Sequence, residues 1–288
     1  TGVGELLDEM VTALPLVDET EEPDALKIAL VGRPNVGKSS LLNKLLGEER
    51  AIVSAIPGTT RDATDTYLTW EGQPVLLIDT AGIRRRGRIE RGIEKYSVLR
   101  AIKGISRADV VLLLLDAQDL VTAQDAHVAG YILEERRSII VVVNKWDLIE
   151  KDTYTMDAYT KQIRAELRFL DYVPVFFISA LTGQRVQKLL PLALQVYQER
   201  LRRITTSELN RLVEDATIRH PPPHKAGKWL KFLYATQASV DPPTFVFFVN
   251  DTRLVHFSYE RYLENQIRRR YSYLGTPLKL VVRSRGRE

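Results

Sequence analysis

Gly32-Arg33-Pro34-Asn35-Val36-Gly37-Lys38-Ser39 limits what this chain can fold into more than any other stretch. It fits the pattern G-x-x-x-x-G-K-[ST], and its context decides what the pattern means. The apolar run Leu26-Lys27-Ile28-Ala29-Leu30-Val31 leads into it. Ser40-Leu41-Leu42-Asn43-Lys44-Leu45-Leu46 follows with helical spacing, and Gly47 is placed to end that helix. Strand, glycine loop and helix in this order make a cradle for phosphate. Gly32 and Gly37 let the backbone come close to an anion, and the loop N–H groups and the helix N-terminus point at it. Lys38 supplies compensating charge, and the Ser39 hydroxyl suits Mg²⁺. Arg33, Pro34, Asn35, Val36 and Ser40 complete the candidate phosphate-binding set. A glycine turn with a chance lysine would leave the flanking strand and helix unexplained.

The chain has 288 residues, enough for one large domain or two ordinary ones. It contains no cysteine, which excludes a disulfide scaffold and cysteine metal sites. No apolar run reaches the ~18 residues of a membrane span. The start lacks the basic-then-apolar pattern of a signal peptide. A cytoplasmic protein is the default expectation. Charge is unevenly spread: residues 1–24 carry eight acids and no Lys or Arg, whereas residues 200–288 carry 17 bases against 8 acids. A basic excess of that kind attracts nucleic acid, with a solvated surface as its rival reading.

Periodicity divides the chain into 1–24, 25–204 and 205–288. Residues 1–16 read as an amphipathic helix, followed by an acidic linker. From Leu26 to about Ala180, strand patterns at 27–31, 63–70, 75–78, 110–115, 139–143 and 175–178 alternate with helical ones at 38–46, 92–105, 122–136 and 157–169. Glu71-Gly72-Gln73 suits a tight hairpin. The fold class is α/β with a mainly parallel sheet, closed by a helix from about Val186 to Arg203. The uninterrupted apolar runs at 110–115 and 139–143 predict central strands buried on both faces. Beyond Thr205, a helix (208–218), strands at 229–236 and 245–250, a helix (259–273) and a strand (278–282) predict a small α+β module.

Further motifs stand where such a sheet binds ligands, at the C-terminal ends of its strands. Asp79-Thr80-Ala81-Gly82 follows one strand; an aspartate there holds Mg²⁺ through a water, and a glycine N–H meets a γ-phosphate. Asn144-Lys145-Trp146-Asp147 ends another. A carboxylate at Asp147 accepts from N1–H and N2–H of guanine, a donor pair that adenine lacks. Ser179-Ala180-Leu181 is placed to back the guanine oxygen. Thr60, in the exposed run 57–62, suits Mg²⁺ and sensing of the γ-phosphate. Each motif alone is short; all of them in this order over residues 26–181 resemble the GTPase family of P-loop proteins.

The resemblance narrows. Asp79-Thr80-Ala81-Gly82-Ile83-Arg84-Arg85-Arg86-Gly87, then Glu90-Arg91-Gly92-Ile93-Glu94-Lys95-Tyr96-Ser97, with Asn144-Lys145-Trp146-Asp147, is similar to the second GTPase domain of the Der (EngA) family. These are bacterial ribosome-assembly GTPases with two tandem GTPase domains and a C-terminal KH-like domain, which the last third resembles. The resemblance implies GTP/GDP and Mg²⁺ as ligands and hydrolysis of GTP. It also implies a role in maturing the large ribosomal subunit, with that subunit and its rRNA as partners. It makes residues 1–24 the end of a first GTPase domain, the rest of which would pack on the KH-like module. Ile83 stands where Ras-like enzymes place a water-orienting glutamine. Relatives sharing the asparagine at Asn35 use K⁺ in place of an arginine finger, so the resemblance assigns a K⁺ site to Asn35. Glu90 matches a water-orienting glutamate of a related tRNA-modification GTPase. The catalytic set is then Asn35, Lys38, Thr60, Gly82 and Glu90; the metal set is Ser39, Thr60 and Asp79 for Mg²⁺ and Asn35 for K⁺. The KH-like module lacks the GxxG loop by which RNA-gripping KH domains clamp a backbone. Arg268, Arg269, Arg270, Arg283, Arg285 and Arg287 are its candidate phosphate contacts. The alternatives are an Era-like RNA-binding GTPase and a weakly hydrolysing module that gates ribosome docking.

Overall fold

The computed structural model describes residues 25–53, 65–80, 94–222, 224–225 and 228–284. The expected helix at 1–16, the loop at 57–62 and residues 81–93 lie outside these. Through Phe177 the order is β1 (Leu26–Val31), α1 (Lys38–Leu46), β2 (Ala51–Val53), β3 (Thr66–Trp70), β4 (Gln73–Ile78), α2 (Glu94–Arg107), β5 (Val110–Asp116), α3 (Ala123–Glu134), β6 (Ser138–Asn144), α4 (Thr155–Glu166) and β7 (Val175–Phe177). The seven strands form one sheet in the order β2-β3-β4-β1-β5-β6-β7. From β4 to β7 it is parallel, and β2 and β3 add antiparallel pairs at one edge. Glu71 and Gly72 both take positive φ, so the β3–β4 hairpin closes in two residues with a twist that matches its strands.

Alternation along the strands makes two cores. Ile28, Leu30, Leu112, Leu114, Ile140 and Val142 face Leu41, Leu42 and Leu45 of α1. Ala29, Val31, Val111, Leu113, Val141 and Val143 face the other way, toward Ile105 of α2, Ala129 and Ile132 of α3, and Ile163 of α4. β5 and β6 are buried at every position, as their unbroken apolar sequences require. The closing helix is shorter than the sequence suggests. A 3₁₀ turn (Val186–Lys188) precedes α5 (Leu189–Arg200). Pro191 has no N–H to give to Gln187, so a regular helix cannot run through that turn.

The second module comprises α6 (Thr206–Arg219), β8 (His224–Lys225), β9 (Lys228–Trp229), β10 (Phe232–Val240), β11 (Pro243–Val249), α7 (Phe257–Tyr271) and β12 (Lys279–Ser284). α6 starts at a capping box in which Thr205 and Glu208 satisfy each other's backbone N–H. Phe245 and Phe247 point into a core with Leu209, Leu212, Leu263 and Ile267 of α6 and α7. The stretch read as one strand over 229–236 is two. Asn250 donates from Nδ2 to Trp229 O (2.8 Å) and accepts from Lys231 N (2.9 Å), taking the backbone groups a continuous strand would use.

The modules meet where β7 stops short of β6. β7 pairs only with Val141–Val143, and Ile139 N donates instead to Gly275 O at 2.7 Å. Ser138 and Thr276 share a buried hydroxyl hydrogen bond (3.0 Å). Arg200, 1% exposed, ion-pairs with Asp241 and donates to Arg136 O at 2.9 Å. Arg268, a candidate RNA contact, is spent on this junction: it lies over the Tyr172 ring at 3.7 Å and donates to Thr276 O at 3.0 Å. Gly275 has φ 68, and a Cβ there would lie 2.7 Å from Ile139 O. Gly275→Ala is therefore expected to cost about 2–3 kcal/mol of stability, from backbone strain plus crowding. Urea unfolding of both proteins measures this, and an unchanged midpoint would refute the account of the junction.

Candidate functional site

The predicted motifs that fall within the described residues gather at one edge of the sheet, the C-terminal ends of β1, β4, β6 and β7. That edge is where an α/β sheet opens a crevice for a ligand. The loop from Gly32 to Gly37 needs its glycines. Gly32 has φ 146, and a Cβ there would lie 2.5 Å from Leu114 O. Gly37 has φ 98, and a Cβ there would sit 2.2 Å from Asn144 Nδ2. Asn35 takes the left-handed conformation, φ 64, which asparagine tolerates better than most residues. Gly37 begins α1 and has no side chain with which to cap it, so the helix N-terminus faces the loop's concavity. Lys38 arches over that concavity, with Nζ donating to Gly32 O (2.6 Å) and to Arg33 O. Val36 is buried, whereas Pro34, Asn35, Ser39 and Ser40 are exposed.

Asn144, placed by its motif in the nucleotide-binding set, holds the site together. Its buried Nδ2 donates to Val36 O at 2.8 Å, and its Oδ1 accepts from Ala180 N at 2.9 Å. One side chain thus joins the phosphate loop to the loop after β7. Within the run 179–181 expected to back a guanine oxygen, the Ala180 N–H is engaged with Asn144. Ser179 is buried, its Oγ accepting from Thr182 N at 3.1 Å, and Leu181 is exposed. Trp146, placed by its sequence in the nucleotide-binding set, is turned into the core. It packs edge-on to Tyr159 (5.0 Å, 84°) and against Phe177 (4.5 Å). That anchor fixes the turn on which Asp147 stands. Asp147 Oδ1 is buried without a hydrogen-bond partner.

Four aspartates with no motif of their own brace these groups. Lys145 has φ 63 and donates from Nζ to Asp116 at the end of β5. Burial works against charge on Asp116, but hydrogen bonds from Lys145 and Gln118 N hold its carboxyl below the ordinary range. Arg33 turns away from the concavity. Its Nε pairs at 3.0 Å with buried Asp125, which forms a capping box with Thr122 at the start of α3, and its NH2 pairs with Asp119 at 3.4 Å. Asp65 accepts from Asp79 N at 2.9 Å and ion-pairs with Arg107, which pins Asp79 at φ 54. Thr80 shares a buried hydroxyl hydrogen bond with Thr66 at 2.6 Å. Thr60, Ala81, Gly82, Ile83, Arg84–Arg86 and Glu90 lie outside the described residues.

The arrangement fits a guanine nucleotide. A glycine-lined cradle with a lysine across it suits phosphate, and the orphaned Asp147 oxygen suits the paired N–H donors of guanine. The hydroxyl of Ser39 and the carboxylate of Asp79 are hard oxygen donors of the kind Mg²⁺ takes. A family model described as the KH-domain-like of EngA bacterial GTPase enzymes, C-terminal, matches residues 203–283. One described as 50S ribosome-binding GTPase matches residues 27–145. GTPase Der of Thermomicrobium roseum is 56% identical over 99% of this chain and 63% of its own length. The chain belongs to the GTPase Der family. GTPase Der of Chloroflexus aggregans is 53% identical over 100% of this chain and 64% of its own. The chain thus spans less than two thirds of the length of these relatives. Among solved structures, Era of Aquifex aeolicus bound to GDP·AlF4⁻ is 22% identical with a TM-score of 0.44, covering 89% of this chain and 92% of that one. Among the described residues no helix is long and apolar enough to cross a membrane.

Gly37→Ala is expected to push Asn144 off Val36 O and to weaken GDP binding at least ~10-fold while the fold survives, since the strain falls on one loop. Titration with a fluorescent GDP analogue, with circular dichroism as the fold control, measures this; unchanged affinity would contradict the geometry.

Proposed function

We propose that this chain hydrolyses GTP to GDP and phosphate and acts as a nucleotide-controlled switch in maturation of the large ribosomal subunit. Asp147 Oδ1 carries the guanine assignment: it is buried and unpartnered on a turn made rigid by Trp146. Guanine offers two converging donors to a carboxylate, whereas adenine would bury the charge unpaired. Membership of the Der family supports hydrolysis, and the description of the matching family model as a 50S ribosome-binding GTPase supports the large subunit as partner. The same membership supports a cytoplasmic setting, contact with rRNA, and a further GTPase domain packing on the KH-like module.

Lys38 already sits across the loop on two carbonyl oxygens, so it can exchange these for phosphate oxygens with little movement. Together with the loop N–H groups it stabilises charge that develops on the leaving and transferring phosphates as water attacks. Ser39 and Thr60, with Asp79 acting through a water, would hold Mg²⁺, which would supply further charge neutralisation. Asn35, exposed at the mouth of the cradle, is the proposed K⁺ ligand, and Glu90 the proposed water-orienting group. Asp79 and Thr80 are fixed by Asp65 and Thr66, so a γ-phosphate-dependent rearrangement starts beyond Thr80, around Gly82.

Asp147→Asn is expected to weaken GTP binding about 10- to 100-fold and to favour xanthosine triphosphate, whose 2-oxo group accepts from the new amide. Retained GTP preference would refute the guanine assignment. Turnover is expected to be faster in KCl than in NaCl at equal ionic strength, and Asn35→Ala is expected to abolish the difference; equal rates in the two salts would sink the K⁺ proposal.

A further inference from the structure

The second module has a far end that neither the nucleotide site nor the junction uses. β10 is nine residues long, which spans roughly 30 Å. At one end Gln237 bonds Arg202 O and Ile204 N, and Asp241 pairs with Arg200, tying it to the nucleotide module. At the other, Phe232 pairs with Val249, and there the short hairpin of β8 and β9 meets the turn Asn250–Arg253.

One feature of this tip conflicts with stability alone. Trp229 is 59% exposed, whereas the other two tryptophans, Trp70 and Trp146, are at most 1% exposed. Its backbone is nonetheless held by the Asn250 amide, so the indole is presented from a fixed base. Exposed Lys228 and Lys231 flank the tryptophan, and Arg253 stands at the neighbouring turn, paired with Asp251. Hydrogen bonds from Arg253 pull the Asp251 carboxyl down to about 2, and Lys228 adds to the effect. Local conflicts of this kind concentrate where a surface serves binding.

We propose that this tip binds an unpaired stretch of RNA, with Trp229 stacking on a base and Lys228, Lys231 and Arg253 taking the adjoining phosphates. An exposed aromatic among cations suits single strands, whose bases have free faces; a duplex hides those faces, and an acidic peptide gives the indole no flat partner. After residue 204 the chain has glycine only at 227, 275 and 286, so a GxxG clamp is absent and recognition passes to another surface. The proposal rests on the ribosomal role above and is independent of the GTP chemistry.

The test uses the 288-residue chain with a fluorescein-labelled unstructured 20-nucleotide RNA and a 20-base-pair duplex of the same composition. Binding of the single strand is expected to quench tryptophan emission, because only Trp229 is reachable, and to exceed duplex binding. Trp229→Ala is expected to weaken binding about 10-fold and to remove the quenching. Replacing Lys228, Lys231 and Arg253 by alanine is expected to make the salt dependence shallower by about 2 in log–log slope. All four side chains are exposed, and thermal melts verify that the variants remain folded. Binding without quenching, equal duplex binding, or unaltered affinity in Trp229→Ala would overturn the proposal. Pelleting with large ribosomal subunits separates it from the broader reading. Wild-type and tip-variant chains pelleting equally would sink the tip and leave the ribosomal role standing; no pelleting of the wild type under any nucleotide would sink that role.

Discussion

The amide of Asn144 is the interaction on which the nucleotide site depends. It is buried, and both of its ends are committed to backbone, Val36 O on one side and Ala180 N on the other. A buried amide with one partner removed leaves a polar group unpaid by water, at a cost of about 1–3 kcal/mol. The phosphate loop, the turn bearing Asp147 and the loop after β7 therefore stand or fall together. Gly37 is glycine because of this: no side chain fits between the loop and Nδ2. Around the amide lies a second layer of braces, Lys145 on Asp116, Arg33 on Asp125 and Asp119, and Asp65 on Asp79. Each fixes a motif from behind and none belongs to a motif.

That division explains what could be read from residues alone. The phosphate loop was legible because the close approach of backbone to anion can be met only by glycine at Gly32 and Gly37, and the buried strands because β5 and β6 are apolar at nearly every position. Asn144 was legible in identity but not in direction; a short motif says which residue stands there, whereas its partners depend on loops 36 and 108 residues away. Trp146 was misplaced for the same reason, since only folding shows that its ring faces Tyr159. The braces Asp65, Asp116, Asp119 and Asp125 carried no signal, because an aspartate in a loop looks the same whether it meets water or an arginine. β2, three residues long with Ile52 and Val53 exposed, lacks the alternation that marks a strand.

The second module joins the sheet where β7 leaves β6 unpaired, so Gly275 completes a strand whose other end carries Asn144. Buried Arg200 locks this junction. Its charge is disfavoured by burial, and Asp241 offsets that cost. Only the arginine is buried, Asp241 being 42% exposed; loss of that carboxylate would leave a buried charge unpaired, so the pair specifies one arrangement of the two modules. One continuous run of hydrogen-bonded structure thus leads from the turn that carries Asp147 to the KH-like module.

The claim that Asn144 serves phosphate grip as well as base recognition separates cleanly in one measurement. Affinities of the wild type and Asn144→Ala for GDP and for inorganic tripolyphosphate, which has no base, are obtained by competition against a fluorescent GDP analogue. If Asn144 holds the phosphate loop, the variant loses affinity for both ligands, by about 10-fold or more for tripolyphosphate. If tripolyphosphate binds both proteins equally and only GDP is weakened, Asn144 acts on the base alone and the account of a single braced site is wrong.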